Sequence, residues 1–215
     1  MKEDKRIGIP IKFKVPKRYD VIPDIVRDCG AKILLEIGVY KCIRSQAMIL
    51  AALETIGKVQ FFGFDLFEDL TNELADLEMS PKPYCIAQAY EKLNGIGVDV
   101  VLFKGFSRET LPMFLTMNIK PDFIFIDGGH SFETVESDWN YVKQMMHDET
   151  VVVFDDYLSA CEDLRWGCNR VVDSLEGYER EILDAHDTYE MKKVGSDERF
   201  TSDARLVKVW KNAKG

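Results

Sequence analysis

Three aspartates stand at the ends of two apolar runs. Asp127 follows Phe123-Ile124-Phe125-Ile126, and Asp155 and Asp156 follow Val151-Val152-Val153-Phe154. Short apolar runs of this kind read as buried strands of a parallel sheet. In such a sheet the carboxyl ends of the strands form the rim where ligands bind. Three carboxylates gathered there repel one another unless they are protonated, solvated or holding a cation. His130 lies three residues past Asp127, within reach of the same spot. An imidazole of ordinary pKa, about 6.5, can take up a proton near neutral pH.

A second group surrounds the first apolar run. Leu34-Leu35-Glu36-Ile37-Gly38-Val39-Tyr40 reads as a strand entering a turn, and Gly38 lets the backbone bend tightly and approach a ligand. A dinucleotide fingerprint needs further glycines at G-x-G-x-x-G spacing. Tyr40 and Ile43 hold those places, which argues against a pyrophosphate site. Glu36 repels phosphate and attracts an ammonium. Asp65, ending Phe62-Gly63-Phe64-Asp65, has the position and chemistry to accept both hydroxyls of a ribose. Gly105-Phe106-Ser107 offers close backbone, an aromatic face and a hydroxyl to a purine. The ligand so described carries an ammonium, a ribose and an adenine, without phosphate.

Alternating elements must hold these groups. Strands are expected at Lys32–Leu35, Val59–Phe64, Val98–Phe103, Asp122–Ile126 and Thr150–Phe154. Helices are expected at Ser45–Ile56, Phe67–Glu78, Tyr84–Leu93, Arg108–Met117 and Leu164–Leu175. Phe132, Val135, Trp139, Val142 and Met145 recur every three or four residues, the apolar face of one more helix, with Ser131 placed to cap it. Trp139 reads as core rather than site. Glu181–Ala185 and Arg205–Trp210 read as a final pair of strands. A β-α-β-α series ending in a hairpin implies a mostly parallel sheet with helices on both faces.

The chain has 215 residues, 46% of them apolar, enough for one α/β domain with a sizeable core. Residues 1–20 are expected to form an N-terminal arm and 21–215 a single domain. The basic run from Lys2 to Arg18 reads as a solvated arm. A net charge of -9 argues against nucleic acid as a partner. No apolar run has the length of a membrane span, and the N-terminus lacks the apolar core of a secretory signal. Five scattered cysteines without a C-x-x-C pair suit reduced thiols and a cytoplasmic location. Self-association is left open.

From Glu36-Ile37-Gly38 to the final strands, the chain resembles class I S-adenosylmethionine-dependent methyltransferases. Within them it is most similar to the metal-dependent O-methyltransferases of the macrocin and catechol types. Gly63-Phe64-Asp65-Leu66-Phe67-Glu68, Lys104 to Pro112, and Phe123 to His130 resemble successive macrocin-type motifs. Asp155 lies 28 residues after Asp127 and is followed at once by Asp156, which matches the metal triad of both types. Two positions depart from the family pattern: Cys42 stands where a second glycine is usual, and Arg44 where a serine is usual.

The resemblance implies a Rossmann-like, doubly wound sheet of seven strands in the order 3-2-1-4-5-7-6, strand 7 antiparallel. It implies S-adenosylmethionine as cofactor, bound by Glu36, Gly38, Tyr40, Asp65, Gly105, Phe106, Ser107 and Asp127. It implies Mg²⁺ on Asp127, Asp155 and Asp156. The ion would activate a small-molecule hydroxyl acceptor, with His130 and Asp127 in the catalytic group. Arg44 can pair with the methionine carboxylate. Tyr157, Arg165 and Trp166 either line the substrate pocket or pack their loop. Two other readings stay open: a metal-independent methyltransferase, and a protein that binds the cofactor or a nucleoside without catalysis.

Overall fold

The computed structural model describes residues 17–161, 166–192 and 197–212. Seven strands form one sheet: β1 (Ile33–Ile37), β2 (Gln60–Asp65), β3 (Asp99–Lys104), β4 (Phe123–Ile126), β5 (Val151–Leu158), β6 (Tyr178–Lys192) and β7 (Arg199–Lys211). Their order is β3-β2-β1-β4-β5-β7-β6. The first five pair in parallel, and β7 runs antiparallel to both β5 and β6. This is the order implied by the resemblance.

Seven α-helices accompany the sheet among the described residues: α1 (Ile22–Asp28), α2 (Ile43–Ile56), α3 (Asn72–Leu77), α4 (Ile86–Asn94), α5 (Ser107–Leu115), α6 (Phe132–Met145) and α7 (Gly167–Asp173). Strand side chains alternate between faces, so neighbouring apolar residues enter different cores. Leu34, Phe61, Phe123 and Val151 pack with residues of α1, α2 and α4. Leu35, Phe62, Ile124 and Val152 pack with residues of α5, α6 and α7. This double burial explains why β4 and the first four residues of β5 are continuous apolar runs; β5 runs on past the expected end at Phe154, through Asp155 and Asp156 to Leu158. Trp139 sits in the second core, 6% exposed, with its ring centroid 5.6 Å from that of Phe154.

Three expectations about the elements change. The Phe67–Glu78 segment is a short 3-10 turn (Phe67–Asp69) and then α3, because the chain extends at Leu70 between them. The described part of the Leu164–Leu175 helix is α7; Leu164 and Arg165 lie outside the described residues. The final strands are 15 and 13 residues long rather than five or six. Polar residues dominate much of this hairpin because β6 is an edge strand with little core to cover.

Candidate active site

The parallel strands bring Glu36, Gly38, Tyr40, Asp65, Gly105, Phe106, Ser107, Asp127, His130, Asp155 and Asp156 to one edge. Backbone hydrogen bonds stitch the strand ends together there. Gly38 N–H donates to Phe64 O (2.8 Å), Asp127 N–H to Ile37 O (2.8 Å) and Gly105 N–H to Asp65 O (3.0 Å). Gly38 has φ +93°, and a Cβ on it would lie 1.9 Å from the carbonyl oxygen of Asp127. A glycine is required where the loop after β1 crosses the end of β4.

Asp65 orders the same loop. Its Oδ2 accepts from Tyr40 N–H (2.9 Å) and its Oδ1 from Phe67 N–H (2.8 Å). Each oxygen retains a second lone pair for another donor. Tyr40, Cys42 and Phe67 all have positive φ, at 49°, 60° and 52°. Such backbone costs free energy and collects at functional sites. Gly105, Phe106 and Ser107 lie at the junction of β3 and α5, half-buried, with the Arg108 guanidinium 4.3 Å from the Phe106 ring centroid.

Glu36 is 1% exposed and accepts a hydrogen bond from Ser45 Oγ. Burial pushes its carboxyl up to about 8, tempered by Ser45 and by the nearby Arg44 cation. Arg44 also lies over the Tyr19 ring, 3.7 Å from the centroid.

At the aspartates the structure adds residues that the sequence does not mark. Arg18, 3% exposed, reaches in from a 3-10 turn (Arg18–Val21). Its Nε donates to Asp155 Oδ1 (2.7 Å), and its Nη2 to Asp155 Oδ2 (3.0 Å) and Asp156 Oδ1 (2.7 Å). Its Nη1 donates to Asp187 Oδ2 (3.3 Å) and the Tyr189 hydroxyl (2.7 Å). Tyr19 accepts from Arg18 Nη2 (2.8 Å) and hydrogen-bonds Asp155 Oδ2. Arg18 at the end of the basic run is thus buried rather than solvated, because β5 and β6 present it with carboxylates; Lys17 is exposed, and the arm before it lies outside the described residues.

His130 faces Asp156. Its Nε2 lies 2.8 Å from Asp156 Oδ2, while Nδ1 lies 2.9 Å from the Glu78 carbonyl oxygen. A carbonyl only accepts, so Nδ1 carries a proton. Burial alone would lower the imidazole, but the hydrogen bond and charge of Asp156 outweigh it and raise it to about 9. The ordinary value expected from sequence does not apply, and the pair is imidazolium and carboxylate at neutral pH. Asp127 moves the other way from an ordinary carboxylate: burial and the charges of Asp155 and Asp156 hold it well up. Asp156 has φ +61°, where the pairing of β5 with β7 shifts register between Phe154 and Tyr157.

Glu78 positions the histidine. Its carboxylate accepts from Ser131 N–H (3.1 Å), Ser131 Oγ (3.1 Å) and Thr134 Oγ1 (2.8 Å) at the start of α6. Ser131 Oγ caps the helix as expected, accepting from Thr134 N–H (3.3 Å). Trp166 closes another side, its ring centroid 5.2 Å from that of His130 and its Nε1 donating to Asp156 O (2.9 Å). Tyr157 instead hydrogen-bonds Asp173 (3.0 Å), while Arg165 lies outside the described residues.

A family model described as a methyltransferase domain matches residues 35–157, more than half of the chain. The chain belongs to this methyltransferase domain family. The matched segment of the methyltransferase domain runs from β1 through Asp127, Asp155 and Asp156, and leaves out Arg18. The chain is 29% identical over 93 residues to protein R132 of Acanthamoeba polyphaga mimivirus, covering 39% of this chain. It spans only 40% of that curated relative. Among solved structures, TomG, an O-methyltransferase from Streptomyces achromogenes in complex with SAM, has a TM-score of 0.58 at 13% identity. The match covers 90% of this chain and 79% of that one. An O-methyltransferase from Bacillus cereus in complex with SAH also has a TM-score of 0.58, at 16% identity over 94% and 84%. These likenesses show a shared fold.

Mg²⁺ would need free oxygen donors around it. Asp127, His130 and Asp156 offer ligand atoms within 4.8 Å of one another. Yet both oxygens of Asp155 are engaged by Arg18, and Asp156 is engaged by Arg18 and His130. With Arg18 in place, these residues do not fit the ion.

Proposed function

We propose that this methyltransferase domain transfers a methyl group from S-adenosylmethionine to a hydroxyl of a small molecule. The observation that carries the reading is the double position of Asp127. Its backbone is bonded to Ile37 beside the Gly38 loop, and its carboxyl belongs to the cluster with Asp155, Asp156 and His130. A cofactor-side loop and an acid–imidazole cluster therefore meet at one residue.

On this reading Glu36 receives the cofactor's ammonium, Asp65 its ribose hydroxyls, and Gly105, Phe106 and Ser107 its adenine. Gly38 and Tyr40 form the loop against which it lies. The bound cofactor supplies a sulfonium methyl, which passes in line to the acceptor oxygen. His130 Nε2 takes the hydroxyl proton once the imidazole has lost its own, and Nδ1–H on the Glu78 carbonyl keeps the ring aimed. Asp156 and Glu78 hold the geometry. Trp166 borders the acceptor's approach, and loops beside a site set substrate choice.

Calorimetry with S-adenosylmethionine and S-adenosylhomocysteine tests the cofactor, with 1:1 binding of both expected. A screen of small alcohols, phenols and sugars with methyl-labelled cofactor tests the transfer. Failure to bind either cofactor form would overturn the reading.

A further inference from the structure

Arg18 is the least expected member of the site. Every N–H of its guanidinium faces an acceptor: Asp155, Asp156, Asp187, Tyr19 or Tyr189. Its backbone is fixed as well, since Lys17 N–H and Arg18 N–H donate to the two oxygens of Asp187 at 2.8 and 3.1 Å. The two-point contact with Asp155 uses the planar fork that suits arginine to a carboxylate. The residue is buried, fully hydrogen-bonded and anchored from both sides, so it is a structural component of the cluster.

We infer that Arg18 is a built-in cation that takes the charge-balancing place of a divalent ion at Asp155 and Asp156, so that the cluster takes up no metal while Arg18 is there. A guanidinium bridges both carboxylates, with Nε 2.7 Å from Asp155 Oδ1 and Nη2 2.7 Å from Asp156 Oδ1. A divalent ion there would bring more positive charge against a buried cation that has nowhere to go without breaking its bonds to Asp187 and Tyr189. Arg18 acts through Asp155 and Asp156 as a positioning residue. The inference stands on this ion-pair geometry and not on the methyl-transfer reading. If both hold, an acceptor needs only one hydroxyl, because no ion is present to chelate a second.

Mn²⁺ titration of the full chain, followed by electron paramagnetic resonance without cofactor or acceptor, tests this. The wild-type chain is expected to show no saturable uptake up to millimolar Mn²⁺. Arg18→Ala is expected to gain one site at least tenfold tighter, and Arg18→Ala with Asp155→Asn to lose it again. Stoichiometric uptake by the wild type that Asp155→Asn abolishes would overturn the inference, as would a folded Arg18→Ala chain that gains nothing. Near-ultraviolet circular dichroism shows whether the variant is folded; if it is not, the wild-type titration decides alone.

Discussion

The main chains of Gly38 and Asp127 pass so closely that a single added carbon on Gly38 would meet the Asp127 carbonyl oxygen at 1.9 Å. Neither backbone can yield cheaply, because Asp127 N–H is bonded to Ile37 O and Gly38 N–H to Phe64 O. Gly38→Ala should therefore cost about 3 kcal/mol or more in stability, through clash and a strained positive φ together. Urea denaturation checks this; a loss under about 1 kcal/mol would show that the crossing relaxes.

His130 supplies a pH signature. With its imidazole raised to about 9 by Asp156, the neutral form that accepts a proton grows as pH rises. The transfer rate at saturating cofactor should climb about tenfold per pH unit below that value and level off near it. Asp156→Asn should shift the break to lower pH, and His130→Gln should remove it. A pH–rate profile that stays flat in the wild type between pH 6 and 9 would take His130 out of the proton transfer.

Glu36 predicts a pH dependence of binding instead. Its carboxyl, pushed to about 8 by burial, must ionise to receive an ammonium. The affinity for S-adenosylmethionine should rise as pH approaches 8. Above that, an α-amino group of ordinary pKa, about 7.7–8.0, loses its own charge and the affinity turns over. Glu36→Gln should abolish the rising limb. Calorimetry between pH 6 and 9 reads both limbs directly.

Asp138 on α6 is fully buried, and both its oxygens lack a hydrogen-bond partner. Burial raises it to about 7, and Ser107 is near enough to temper the rise without bonding it squarely. An acid raised on folding binds more protons when native, so it destabilises the fold progressively from about pH 4 to pH 7 and fully above. Asp138→Asn should gain roughly 2 kcal/mol or more at pH 8 and little near pH 4. Equal gains at both values in thermal or urea unfolding would contradict this.

How far the sequence reaches is clear from particular residues. Phe123 to Asp127 and Val151 to Asp156 show both the strands and the acids, because two-faced burial leaves only apolar residues in β4 and in the first four positions of β5, which then continues through the acids to Leu158. Ser131 shows its cap through local chemistry. Arg18 is hidden because Asp155, Asp156, Asp187 and Tyr189 lie 137 to 171 residues away, and a basic run gives no sign of which cation turns inward. Glu78 is hidden likewise, since its partners on α6 are 53 and 56 residues distant. The proton affinity of His130 depends on the turn at Asp156, whose positive φ has no glycine to announce it. The length of the last hairpin is obscured because an edge strand tolerates polar residues on both faces.

The position of β7 has a consequence for how the protein is made. β7 lies between β5 and β6, so among the described strands β6 has no sheet neighbour until β7 has been synthesised. Asp187 and Tyr189, which hold Arg18 from the far side, ride on that waiting strand. Synthesis runs from the N-terminus, and contacts of such sequence separation form slowly. A nascent chain can thus assemble the loops around Glu36 and Asp65 well before Arg18 finds its anchors on β6, and the full set of bonds around Arg18 forms only once β7 has emerged.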